Sequence, residues 1–165
     1  HRKNIGTPLD TGSMLMIAEF DPVHPERLIS EPKCLSRPLY GFENTEHTIN
    51  NEGPYAFYYN NKIYLAYSGG DARGYLYAIG MLTANDGDDL CDLSVWEKAK
   101  TPIASFATIP GEYGPGHNSF FWDRDQNLWI AYHAVTSFEE KIVSSGMRRV
   151  YFEQDKTPRF DVIVE

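Results

Sequence analysis

Two short segments set an ionisable side chain beside glycine and proline. These are Glu52-Gly53-Pro54 and, farther along, Gly114-Pro115-Gly116-His117-Asn118. A carboxyl and an imidazole are the groups that most often move protons in enzyme sites. Glycine lets a backbone pass close to a ligand, and proline rigidifies it. Read singly, a glutamate before Gly-Pro is an ordinary surface turn, and one histidine in a Gly-Pro-Gly loop is an equally weak signal. Their weight comes from where the surrounding elements put them.

Those elements read as strands. Residues 14–20 form an apolar run that stops at Asp21-Pro22. Residues 55–59 and 62–68 flank Asn60-Asn61 as a hairpin with a tight polar turn. Residues 75–82 are a further strand, residues 118–122 and 128–133 form a second hairpin, and residues 147–153 and 160–164 close the chain. No segment sustains an apolar period of 3.6 residues for three turns, so the chain reads as all-β. In the strand from Ile63 to Tyr67, apolar groups face both ways, and such a strand must be covered on both sides.

The two hairpins resemble each other at an offset of about 64 residues: Gly53 to Tyr67 parallels Gly116 to Tyr132. Ile17, Ile79 and Val150 recur at a similar period in the outer strands. Repeated four-stranded units, stacked with both faces buried, are the signature of a β-propeller. The chain holds about two to three blades by this count, and a β-sandwich with chance-similar hairpins is the competing reading. A repeat of this length disfavours interaction propellers with blades of roughly 40–50 residues. In a propeller the first strand of each blade lines the central channel, so Glu52 and His117 fall at equivalent positions on one axis.

Composition limits the partners. The chain has 165 residues, enough for one domain with a real core, and 15 Lys+Arg against 23 Asp+Glu give a net charge of -8. That balance argues against nucleic acid. No apolar run reaches the roughly 20 residues of a membrane-spanning helix. Cys34 and Cys91 fit no metal spacing and are expected as free thiols. The acids Asp71, Asp86, Asp88 and Asp89 read as a solvated rim, with a calcium loop of alternating acids as the alternative. The chain opens His1-Arg2-Lys3-Asn4 with no initiator methionine or apolar leader, which suggests that residues are missing upstream.

One ordered set of segments is more specific. Asn51-Glu52-Gly53-Pro54, Tyr64-Leu65-Ala66-Tyr67-Ser68, Tyr77-Ala78-Ile79-Gly80, Trp96-Glu97-Lys98 with Pro102, and Tyr113-Gly114-Pro115-Gly116-His117-Asn118-Ser119-Phe120 occur in that order. The chain from about residue 14 to 160 thereby resembles the C-terminal part of a glycoside hydrolase family 43 catalytic domain. That domain is a five-bladed propeller of α-L-arabinofuranosidases and β-xylosidases. The resemblance implies that residues 1–165 are the C-terminal portion of one such domain, with its N-terminal blades absent. It implies an inverting acid/base hydrolysis of terminal arabinofuranosyl or xylosyl linkages in plant-derived saccharides. Glu52 matches the general acid, a group that must be protonated near neutral pH.

His117 matches the channel histidine, which in many members lies near a calcium ion with a mostly water shell; a hydrogen-bonded core histidine is the alternative. Tyr113, Asn118 and Tyr132 are candidates to line the pocket with His117, and packing is the competing role for each. The Tyr-Gly-Pro-Gly-His-Asn-Ser-Phe context is closer to the arabinofuranosidase branch. No organic cofactor is implied.

The family base and the aspartate that tunes the acid match no residue of this chain. Asp10 and Asp21 border a strand past where both would fall. The chain alone is therefore expected to be inactive, carrying the acid without its base. The competing class is a non-catalytic carbohydrate-binding propeller or an inactive fragment. The open blade face predicts either missing blades or self-association, and the compartment, secreted or bacterial cytoplasmic, stays open.

Overall fold

The computed structural model describes residues 1–137, 139–140 and 142–161. Eleven strands run in chain order: β1 (Leu15–Ile17), β2 (Lys33–Ser36), β3 (Asn51–Tyr59), β4 (Lys62–Gly69), β5 (Ala78–Asn85), β6 (Glu97–Lys98), β7 (Tyr113–Trp122), β8 (Leu128–Val135), β9 (Val143–Arg149), β10 (Tyr151–Phe152) and β11 (Pro158–Arg159). Among the described residues the helical elements are two short 3-10 turns, Gly41–Glu43 and Leu93–Val95. None is long and apolar enough to cross a membrane.

The strands form a four-stranded antiparallel sheet, β3-β4-β5-β6, and a three-stranded one, β7-β8-β9. The pair β1-β2 lies on the N-terminal side and the pair β10-β11 follows β9. Each larger sheet meanders in strict chain order, as a propeller blade does. The first hairpin turns at Asn60-Asn61, whose φ angles of 49° and 60° are left-handed. Asparagine tolerates that region, and a two-residue turn of this kind matches the twist of the strands it joins.

Several expected strands moved. The run 14–20 pairs only at Leu15–Ile17, because Phe20 leaves the sheet to bridge Leu28. β3 and β7 begin earlier than their apolar runs, at Asn51 and Tyr113, so both Gly-Pro segments lie inside strands. The strand expected at 75–82 is displaced to Ala78–Asn85. Of the strand expected at 160–164, residues 162–164 lie outside the described residues; Phe160 is buried in the core.

The core is the seam between the two blades. Phe57 of β3 stacks on Tyr64 at 4.8 Å and meets Phe120 of β7 at 4.5 Å. Ile79, Met81, Ile130 and Tyr132 complete it from both sheets, with Val150 between β9 and β10. Alternation along β8 explains this: Leu128, Ile130, Tyr132 and Ala134 are buried on one face. Large apolar side chains of the N-terminal region are exposed instead, among them Leu9, Val23 and Leu39 at 72% or more. Cys34 and Cys91 are free thiols, as expected.

Candidate active site

Glu52 sits where the β3-β4 ladder slips. Its Cα pairs with Ser68, the next pair is Tyr55 with Ala66, and the register shifts between them. Gly53 takes φ 55° there, and Pro54 lacks the N–H that a regular ladder would use. β7 slips at the equivalent place, between Gly116 and Ser119, where His117 has φ 52°. The two irregularities face each other: a Cβ built on Gly53 would lie 3.5 Å from the His117 ring. The repeat thus brings Glu52 and His117 to one end of neighbouring inner strands.

Glu52 is half-buried and accepts a 2.7 Å hydrogen bond at Oε1 from the Tyr77 hydroxyl. Tyr77 is fully buried just before β5. Burial, followed by the neighbouring Glu52, pushes its phenol well above the usual range. Its ring stacks on His133 of β8, with centroids 5.5 Å apart and planes 8° from parallel. Gly116, the cross-strand partner of His133, also passes against the ring, where any Cβ would overlap it. His117 is exposed; its backbone N–H donates to Ser68 Oγ at 2.7 Å and its ring lies 6.4 Å from that of His133. Burial, followed by the neighbouring His117, lowers the pKa of His133.

The remaining candidates divide. Asn118 is buried in β7, and neither polar atom of its amide has a protein partner. Tyr113 is half-buried, edge-to-face with Tyr75 at 5.9 Å. Tyr132 is not gathered with Glu52. Its neighbour in β8, His133, faces Tyr77, so Tyr132 points the other way into the core. There its hydroxyl donates to Glu112 at 2.6 Å and accepts from Arg148 Nε at 2.8 Å.

Tyr77, Ser68 and His133 were not singled out from the sequence as site residues. Their signal was positional: a tyrosine opening one strand, and a serine and a histidine in strands whose other residues are mostly apolar. Asp10 and Asp21 have local duties. Asp10 pairs with Arg2 at 2.6 Å and accepts from the Gly6 and Gly12 amides, which holds its carboxyl well below the usual range. Asp21 accepts from Val23 and His24 at a turn.

A hollow of about 390 Å³ opens beside Glu52, between His1, Met14 and Met16 on one side and Glu52, Gly53 and Pro54 on the other. Of the candidate site residues, Glu52 lines it; His117, Asn118, Tyr113 and Tyr132 do not.

Calcium takes six to eight oxygen ligands, and the residues at His117 do not fit such a cage. Among the described residues the one group of three metal-capable side chains is Glu19, Asp89 and Cys91, at the acidic rim. His117 suits only an ion that keeps most of its water. The rim acids Asp71, Asp88 and Asp89 each accept a backbone N–H within their own turns, and Asp86 accepts from the Tyr58 hydroxyl.

Comparison with known proteins fits this geometry. Residues 9–158 match the sequence model of glycosyl hydrolases family 43. The chain is 29% identical over 163 residues to an extracellular exo-α-(1→5)-L-arabinofuranosidase of Streptomyces avermitilis, covering 94% of this chain and 33% of that protein. It is 35% identical over 126 residues to the enzyme of the same name from Streptomyces chartreusis, covering 76% and 37%. Among solved structures, an α-L-arabinofuranosidase from Lactobacillus brevis superposes with TM-score 0.78 at 30% identity, covering 89% of this chain and 46% of that one. A xylan β-1,4-xylosidase from Bacillus halodurans shares the fold with TM-score 0.70 at 13% identity, covering 94% and 28%. The chain therefore spans about a third of the curated relatives it matches and less than half of these solved structures. With a family match over nearly its whole length and a blade architecture to go with it, the chain is part of a five-bladed β-propeller and belongs to glycosyl hydrolases family 43.

Proposed function

We propose that these residues are the acid-bearing, C-terminal portion of a secreted glycosidase propeller that removes terminal arabinofuranosyl units from plant-derived saccharides. The observation that carries this reading is Glu52: a half-buried carboxyl beside a hollow of about 390 Å³, anchored by a tyrosine hydroxyl rather than a cation. In the inverting scheme an acid protonates the departing glycosidic oxygen while a base activates water from the opposite side, roughly 6.5–9.5 Å away. Glu52 serves as the acid. The base comes from blades outside this chain, so residues 1–165 alone do not turn over substrate. His117 and Asn118 border the sugar at the channel mouth.

The names of the two Streptomyces relatives support the arabinofuranosyl preference over xylosyl and the extracellular setting. The test is hydrolysis of p-nitrophenyl arabinofuranoside and xyloside by the natural full-length protein. Turnover of the arabinofuranoside, lost in Glu52→Gln while sugar affinity persists, is the expected result. No turnover by the unaltered protein, with sugar still bound, would establish the competing carbohydrate-binding module.

A further inference from the structure

We propose that Tyr77 is a positioning residue for Glu52, fixing which carboxyl oxygen carries the transferred proton; this rests on Glu52 being the acid. The Tyr77 hydroxyl donates to Oε1 at 2.7 Å. An oxygen that accepts this bond is the carbonyl-like one in a protonated carboxyl, so the acidic hydrogen resides on Oε2. When the glycosidic C–O bond breaks, that hydrogen passes from Oε2 to the leaving oxygen, and Glu52 becomes a carboxylate still bonded to Tyr77. Tyr77 itself keeps its proton throughout. Its burial, with Glu52 alongside, makes the phenolate costly.

The tyrosine is fixed by its neighbours: its ring stacks on that of His133, and Gly116, the cross-strand partner of His133, lets β7 pass close against it. Ser68, the cross-strand partner of Glu52, accepts from the His117 N–H at 2.7 Å. Two other buried tyrosines bond glutamates as closely, Tyr67 to Glu43 at 2.7 Å and Tyr132 to Glu112 at 2.6 Å. In both cases a cation, Lys98 or Arg148, also pairs with the glutamate. Among the described residues Glu52 has no such ion pair, and an acid that must release and regain a proton is better served by a neutral anchor.

The test is the leaving-group dependence of the full-length enzyme on aryl arabinofuranosides. A 2,4-dinitrophenyl group departs without protonation, whereas phenol needs the acid. Tyr77→Phe is expected to lose about tenfold or more in kcat on the phenyl substrate, at similar KM, and to stay within about twofold on the dinitrophenyl one. Equal loss on both substrates by a folded variant, or no loss on either, would overturn the positioning role. Should Tyr77→Phe not fold, Tyr77→Leu, which also lacks the hydroxyl, decides by the same pair of substrates: a selective loss of about tenfold or more on the phenyl glycoside supports the positioning role, and any other pattern sinks it. Glu52→Gln run in parallel separates the two ideas. If it shows no selectivity between substrates, the acid assignment itself fails; if it is selective and Tyr77→Phe is not, only the positioning role falls.

Discussion

The flanks of the blades and the channel end use the same pair of side chains differently. At the flank, Glu43 is completely buried and is held by Lys98 at 2.6 Å, the Tyr67 hydroxyl at 2.7 Å and the Tyr40 amide at 2.8 Å. Lys98 also lies over the Tyr40 and Tyr67 rings. Behind the seam, Glu112 joins Tyr132 and Arg148 in a similar triad. At the channel end Glu52 keeps the tyrosine, drops the cation and gains a hollow. Where a carboxylate only has to hold strands together, a matching charge offsets the cost of burying it. For the proton exchange proposed at Glu52, a neutral donor fixes the carboxyl's orientation without fixing its charge.

The sharpest way to break this contrast is at Glu43. Glu43→Gln strands the Lys98 ammonium in a mostly buried site and is expected to destabilise by about 3–5 kcal/mol in urea unfolding of the full-length protein. A cost below about 1 kcal/mol would mean that the flank pair is not structural. Arg148→Met should cost less, about 1–2 kcal/mol, because its partner Glu112 is partly solvated and keeps the Tyr132 hydroxyl.

Glu52→Gln should change stability by no more than about 0.5 kcal/mol while removing turnover of the phenyl glycoside. The amide oxygen still accepts from Tyr77, and no cation is left unpaired. A large destabilisation there would place Glu52 with the flank pairs. The mildest test uses a half-buried acid with neutral donors only. Trp129, then Asn127, depress the Asp123 carboxyl to about 2. A depressed folded-state value contributes stability above the unfolded value of about 3.9, and that contribution is lost as pH falls through about 2. The gap in thermal midpoint between the parent and Asp123→Asn should therefore narrow from pH about 4 downward, and a gap constant with pH would contradict it.

Exposure separates the regions in the same way. The seam hides Phe57, Tyr64 and Ile130, whereas Leu9, Val23 and Leu39 stand open in the N-terminal third. A chain spanning less than half of its solved relatives has room for blades against that side, and we propose that these blades, rather than a second copy, cover it.

Much of this was legible in the residues. The alternation of Leu128, Ile130 and Tyr132, the paired asparagines at 60–61 and the echo between the two hairpins determine strands, a turn and a stacked repeat through local chemistry alone. The repeat also put Glu52 and His117 at equivalent places, because equal positions in equal units share an axis. What the sequence could not determine was how far each strand extends through its irregularities, since a register shift at Gly53 or Gly116 depends on the partner strand. Nor could it show that Tyr77, rather than Tyr132, reaches the candidate acid, because neighbouring aromatics of the same type differ only in the face they present. Nothing local marks Glu43 either: Lys98 and Tyr67, distant in the chain, close around it only in the fold. Side-chain type and period are local properties and can be read in one dimension; which donor meets which carboxyl is set by contacts between strands far apart in sequence, and only the packed structure decides it.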